Sequence, residues 1–179
     1  ARDVKRGARR RFGLPTVAVV GYTNAGKSSL TNRLTGSAEL VENALFATLD
    51  TAVRRARAKD GRQYAYVDTV GFVRRLPTQL IEAFKSTLEE AAWSDVIVRV
   101  ADAGDDQREE QLAITDEVLD GLDCADIPRL TVYNKCDKPN ALNFDPDILL
   151  TSAKTGYGLD ALLKKLDELL SDPVSYTHL

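Results

Sequence analysis

The sequence predicts an α/β fold: a mostly parallel six-stranded sheet with one antiparallel edge strand and helices on both faces. Three observations lead there. Apolar runs of strand length at 16–20, 64–67, 96–100, 130–133 and 148–151 alternate with stretches whose apolar residues recur at helical spacing. The first run passes through a glycine-bearing turn straight into the segment 27–34, giving the order strand, loop, helix. Four of the runs end in polar motifs, which gathers those motifs on the carboxyl edge of one sheet, where open α/β folds bind ligands.

Taken in chain order, the turn reads Gly-Tyr-Thr-Asn-Ala-Gly-Lys-Ser at 21–28 and fits G-x-x-x-x-G-K-[ST]. This makes the fold a P-loop NTPase. Gly21 and Gly26 let the backbone curl so that successive N–H groups face phosphate oxygens, Lys27 reaches the β- and γ-phosphates, and Ser28 ligates Mg²⁺. The stretch Asn24, Ala25, Gly26, Lys27, Ser28 and Ser29 is expected to hold the phosphates, aided by the positive end of the helix dipole. Thr35-Gly36-Ser37 ends that helix, and 39–50 shows no clean period and is assigned to a first switch loop. Within it Thr48 is chosen for the hydroxyl that completes Mg²⁺ coordination, with Thr51 as the fallback and Thr31 and Thr35 as plain helix residues. Segments 53–58 and 63–67 flank Lys59-Asp60-Gly61 as a hairpin, which makes one edge antiparallel.

Asp68-Thr69-Val70-Gly71 follows: Asp68 can hold Mg²⁺ through water, and the Gly71 amide can bond the γ-phosphate and release its loop when that phosphate leaves. Leu80, Ile81, Phe84, Leu88, Ala91 and Ala92 lie at helical spacing, as do Leu112, Val118, Leu119 and Leu122, and both stripes read as core. Arg99 interrupts the strand 96–100 and must find a carboxylate or reach the strand edge. Asn134-Lys135-Cys136-Asp137 carries base specificity. Asp137 accepts hydrogen bonds from N1–H and the exocyclic amine of guanine, donors adenine lacks. Lys135 lays its stem over the base, Asn134 ties the loop back to the phosphate loop, and Cys136 is filler. In Ser152-Ala153-Lys154 the Ala153 amide meets guanine O6. Each motif alone could be an ordinary polar strand exit; their order and shared placement argue otherwise. The final helix carries Leu159, Leu162, Leu163, Leu166, Leu169 and Leu170.

Composition fits one compact domain at 15–171, since 179 residues with 44% hydrophobic content can bury a core, and no apolar run nears the length of a bilayer span. Cys124 and Cys136 are too few and unpatterned for a disulfide framework or zinc site, and the single histidine, His178, lies in the tail. Six basic residues against Asp3 give the first eleven positions +5, leaving −8 elsewhere for a net −3. Residues 1–14 therefore read as a basic linker, able to neutralise nucleic-acid phosphates or simply solvated. The chain starts at Ala1 and has no Met, as expected of a piece of a longer protein, and 172–179 reads as a disordered, non-native tail.

The motifs at 21–28 and 132–137, with Leu-Phe-Ala-Thr-Leu-Asp at 45–50, Asp-Thr-Val-Gly-Phe at 68–72 and Ala-Phe-Lys-Ser-Thr-Leu-Glu-Glu at 83–90, resemble the HflX GTPases over about 9–170. The resemblance implies a cytoplasmic GTPase that binds the large ribosomal subunit and its RNA, is stimulated by it and splits stalled or idle ribosomes. It also implies a further amino-terminal domain whose connecting helix ends in the basic segment. Departures are Ser29 for the commoner Thr, Arg99, and Ala-Gly-Asp after Asp102. The chain is expected to be a monomer that binds GTP or GDP with Mg²⁺. A regulatory switch with a protein or small-RNA partner is the alternative.

Many GTPases orient the attacking water with Gln directly after the Asp-x-x-Gly glycine, whereas this chain has Phe72 there. A phenyl ring neither orients nor deprotonates water, so slow intrinsic turnover is expected, with Lys27, Thr48 through Mg²⁺, and the Gly71 amide stabilising charge. Asn24 is a candidate ligand for K⁺ beside the phosphates, or else a loop residue tolerating unusual backbone angles. Arg54, Arg55, Arg74 and Arg75 flank the switches as RNA contacts, an arginine finger or solvated charges.

Overall fold

The computed structural model describes residues 14–22, 25–36, 39–46, 49–57, 63–68, 94–121, 124, 126–137 and 148–171. The elements are β1 (Thr16–Gly21), α1 (Lys27–Thr35), β2 (Glu39–Phe46), β3 (Leu49–Arg57), β4 (Gln63–Asp68), β5 (Val96–Asp102), α2 (Arg108–Gly121), β6 (Arg129–Asn134), β7 (Leu149–Leu150) and α3 (Leu159–Ser171). They form one sheet in the order β2-β3-β4-β1-β5-β6-β7. β4, β1, β5, β6 and β7 run parallel and β3 antiparallel to β4, which is the expected six-stranded arrangement. The hairpin leaves β3 at Arg57 opposite Gln63 of β4; its turn, with Lys59, lies outside the described residues.

The seventh strand corrects the sequence reading. Residues 39–50, expected as an irregular switch loop, instead pair as β2 and the start of β3, from Glu39 opposite Arg55 to Phe46 opposite Leu49. A register shift between Leu40 and Glu42 explains why no period was visible. An irregular register of this kind interrupts the period of two that marks a regular strand.

β1 is buried along its whole length because helices cover both faces. Val17 and Val19 face a cluster with Leu30 and Leu34 of α1 and Leu162, Leu166 and Leu170 of α3, whereas Ala18 and Val20 face Leu119 of α2. Each such valine contributes about 1.5–3 kcal/mol on burial. This two-sided burial is why the strand reads as a continuous apolar run. Thr31 and Thr35 are helix residues as expected, their hydroxyls donating to the carbonyls of Lys27 and Thr31, both at 2.8 Å.

Arg99 finds its carboxylate. It donates to Asp116 on α2 and to Thr131 Oγ1 on β6. Asp116 also accepts from Arg129 at 2.8 Å, and Arg129 reaches Asp120 at 2.7 Å. The carboxylates of Asp120 and Asp116 raise the Arg129 pKa despite the opposing effect of burial. This chain of alternating charge pins α2 to β5 and β6 and lets a guanidinium sit in mid-strand. Segment 80–92, expected as a helix, lies outside the described residues, as do 1–13 and the tail 172–179. Among the described residues no helix is long and apolar enough to cross a membrane.

Candidate nucleotide site

The carboxyl end of β1 leads into a turn closed by the Ala25 amide donating to the Tyr22 carbonyl at 3.1 Å. Gly26 then caps α1 at φ 81, a left-handed conformation, and no side chain caps the helix. A Cβ on Gly26 would stand 2.4 Å from Asn134 Nδ2, so glycine is required both by backbone angle and by the approach of Asn134. The N-terminal turn of a helix, with its positive dipole end, suits an anion. Lys27 is buried at the head of this helix, while Ser28 and Ser29 lie exposed in its first turn.

Asn134, 1% exposed at the end of β6, joins three motifs. Its Nδ2 donates to the Ala25 carbonyl at 3.0 Å, and its Oδ1 accepts from Thr151 Oγ1 at 3.1 Å and from the Ala153 amide at 3.2 Å. The expected tie from Asn134 to the phosphate loop is thus present, and it extends to the Ser-Ala-Lys loop. The Ala153 amide, assigned to guanine O6, donates to Asn134 in this structure.

Asp137 is held from the same loop: Ser152 Oγ donates to Asp137 Oδ1 at 2.7 Å and accepts from the Thr155 amide at 3.1 Å. Lys135 adopts φ 63, unusual for a residue with a side chain, and its Nζ lies 3.4 Å from Asp102 Oδ2. Asp102 Oδ1 in turn accepts from the Gly104 amide at 2.9 Å. Cys136 donates its amide to the Thr151 carbonyl at 3.0 Å and packs beside Ala101, Ala103 and Tyr133. Burial, and then the charge of Asp137, push its thiol pKa up. Such a thiol is filler, as read from the motif, and not a nucleophile.

Other candidates are placed less fully. Asp68 ends β4 opposite Val19 of β1, so backbone register sets it beside the strand that feeds the phosphate loop. Asn24, Thr48, Gly71, Phe72, Arg74 and Arg75 lie outside the described residues. Arg54 donates to Asn32 of α1, and Arg55 is exposed. Lys154 is exposed in its loop. Sequence reasoning missed Arg33 of α1, whose Nε donates to the Ala153 carbonyl at 2.7 Å and whose Nη2 donates to that of Lys154 at 3.0 Å. No motif marks this contact, which spans 120 positions.

An uncapped helix end behind a buried lysine suits phosphates, and hydroxyl and carboxylate oxygens of the Ser28 and Asp68 type suit Mg²⁺. Among the described residues no cluster of three His, Cys, Asp or Glu forms a metal site of its own.

Phosphate loop, Asp-x-x-Gly, Asn-Lys-x-Asp and Ser-Ala-Lys along one edge of such a sheet define the P-loop GTPase domains. The chain belongs to the 50S ribosome-binding GTPase family, whose profile matches residues 16–135. It is 45% identical over 181 residues to GTPase HflX of Lacrimispora saccharolytica, covering 98% of this chain and 43% of that protein. To GTPase HflX of Escherichia coli K12 it is 39% identical, over 97% of this chain and 43% of that one. The HflX resemblance drawn from the motifs is therefore borne out, and the chain spans less than half the length of these curated relatives. Among solved structures, a GTP-binding protein from the archaeon Sulfolobus solfataricus in complex with GDP is 28% identical, with TM-score 0.69 over 93% of this chain and 55% of that one. The G domain of the T. maritima FeoB iron transporter shares the fold at TM-score 0.67 and 23% identity, over 87% of this chain and 98% of that one.

Proposed function

We propose that this chain is the GTP-binding and GTP-hydrolysing domain of an HflX-like GTPase that acts on the large ribosomal subunit to split or recycle ribosomes. The observation that carries the base assignment is the bond from Ser152 to Asp137, which aims one carboxylate from the edge that also holds the phosphate loop. In this reading Lys27 and the amides of residues 24–29 bind the phosphates, and Ser28, Thr48 and Asp68 hold Mg²⁺. The metal, when bound, neutralises charge that develops on the phosphate oxygens. Asp137 reads N1–H and the amine, Lys135 covers the base, and Ser152, Ala153 and Lys154 form its O6 side.

The Gly71 amide senses the γ-phosphate, and Phe72 leaves the attacking water without a side-chain partner, so turnover is slow until a partner completes the site. K⁺ held by Asn24 supplies part of the missing positive charge; phosphate release at least severalfold faster in K⁺ than in Na⁺ is expected, and equal rates would remove this ion. The protein acts as a cytoplasmic monomer, and its ribosomal partner is recognised through RNA as well as protein. The test is sedimentation of the chain with purified large subunits through sucrose. Co-sedimentation in a non-hydrolysable GTP analogue but not in GDP is the expected result. No co-sedimentation in either nucleotide would favour a regulatory switch with another partner.

A further inference from the structure

Arg33 stands in the last turn of α1, where a basic side chain ordinarily needs no explanation beyond the helix dipole. Its hydrogen bonds say more. Nε and Nη2 donate to the carbonyls of two successive residues, Ala153 and Lys154, at 2.7 and 3.0 Å. A planar guanidinium presents two N–H groups side by side for such a fork, a fixed geometry that the tetrahedral ammonium of lysine lacks. The guanidinium also lies against Gly156, where an added Cβ would meet Arg33 Nη2 at 3.8 Å. The loop it grips is otherwise held from its opposite side, by Asn134 to the Ala153 amide, Asp137 to the Ser152 hydroxyl, and the Ser152 amide donating to the Tyr157 carbonyl at 3.0 Å.

We propose that Arg33 is a positioning residue for guanine recognition: it fixes the backbone on the carboxyl side of the Ala153 amide, so that this amide, which donates to Asn134 Oδ1 at 3.2 Å, shares its hydrogen with O6 when the base is bound. The inference rests on the reading of Ala153 and Asp137 as base contacts, and the test separates the two.

Calorimetric affinities of the whole chain would be measured for GDP, for IDP, which lacks the amine read by Asp137, and for 6-thioguanosine diphosphate, whose sulfur is a poor acceptor in place of O6. The unaltered chain is expected to prefer GDP over both. Arg33→Ala is expected to lower GDP affinity about five- to tenfold, to collapse the preference for GDP over the thio analogue, and to leave GDP over IDP unchanged. Arg33→Lys falls between, and with Arg33→Gln it carries the same ratio test should Arg33→Ala fail to fold. An unchanged thio ratio in these variants, or an equal loss for all three ligands, would overturn the positioning role. No preference for GDP over IDP in the unaltered chain would overturn the base reading and this proposal with it.

Discussion

Asp137→Asn is expected to lower GDP affinity by about a hundredfold or more, because a site built to hydrogen-bond a polar edge discriminates by at least that much when it loses its charged acceptor. The same variant should gain affinity for xanthosine diphosphate. Xanthine carries a carbonyl where guanine carries the amine, and the amide introduced at position 137 offers it a donor while its oxygen still accepts from N1–H. The substitution is isosteric, and an amide oxygen can still accept the hydrogen bond that Ser152 gives Asp137 Oδ1, so the change reports on the base and not on the loop. Titration of both nucleotides into both proteins checks it. Unchanged GDP affinity would take the base-reading role away from Asp137.

Gly158→Ala should be strongly destabilising. Gly158 has φ +76, and a Cβ there would stand 1.9 Å from the Leu150 carbonyl oxygen, 3.0 Å from its carbon and 3.3 Å from Thr151 Cα. All three contacts are backbone, so no side chain can swing away. Either β7 or the start of α3 must move, and left-handed backbone strain adds about 1–3 kcal/mol to that. A total of roughly 3 kcal/mol or more is expected, which lowers Tm by about 10 °C in a domain of this size. Leu150 and Thr151 lead directly into Ser152, so GDP affinity should fall as well. Gly121→Ala, at the end of α2 with open space around it, is the control and should be neutral or slightly stabilising. Comparable melting temperatures for the two variants would mean that α3 does not approach β7 as closely as described.

Both substitutions fall where the sequence was most legible. The four motifs could be placed because phosphate and base recognition demand particular residue types at the ends of strands, and because two-sided burial writes β1 and β5 as unbroken apolar runs. Even Arg99 was informative, since a charge in mid-strand requires a partner; that the partner is Asp116 was not readable, because it lies 17 positions on, within α2. β2 stayed hidden because its ladder with β3 is irregular, with a register shift between Leu40 and Glu42. The role of Asn134 in joining the Ala25 and Ala153 segments was half visible: the tie to the phosphate loop follows from the motif, and the tie to Ala153 needs β6 and β7 side by side. Arg33 was invisible for a stronger reason. A helix-end arginine looks alike whether it meets solvent or a carbonyl brought to it by the fold.

The most direct measurement is phosphate release from GTP and from ATP by this chain in Mg²⁺ and K⁺, each with and without purified large ribosomal subunits. GTP should be hydrolysed slowly alone and faster with subunits, while ATP stays at background throughout. Hydrolysis of ATP at the rate of GTP, or no release from GTP under either condition while GDP still binds, would contradict the account.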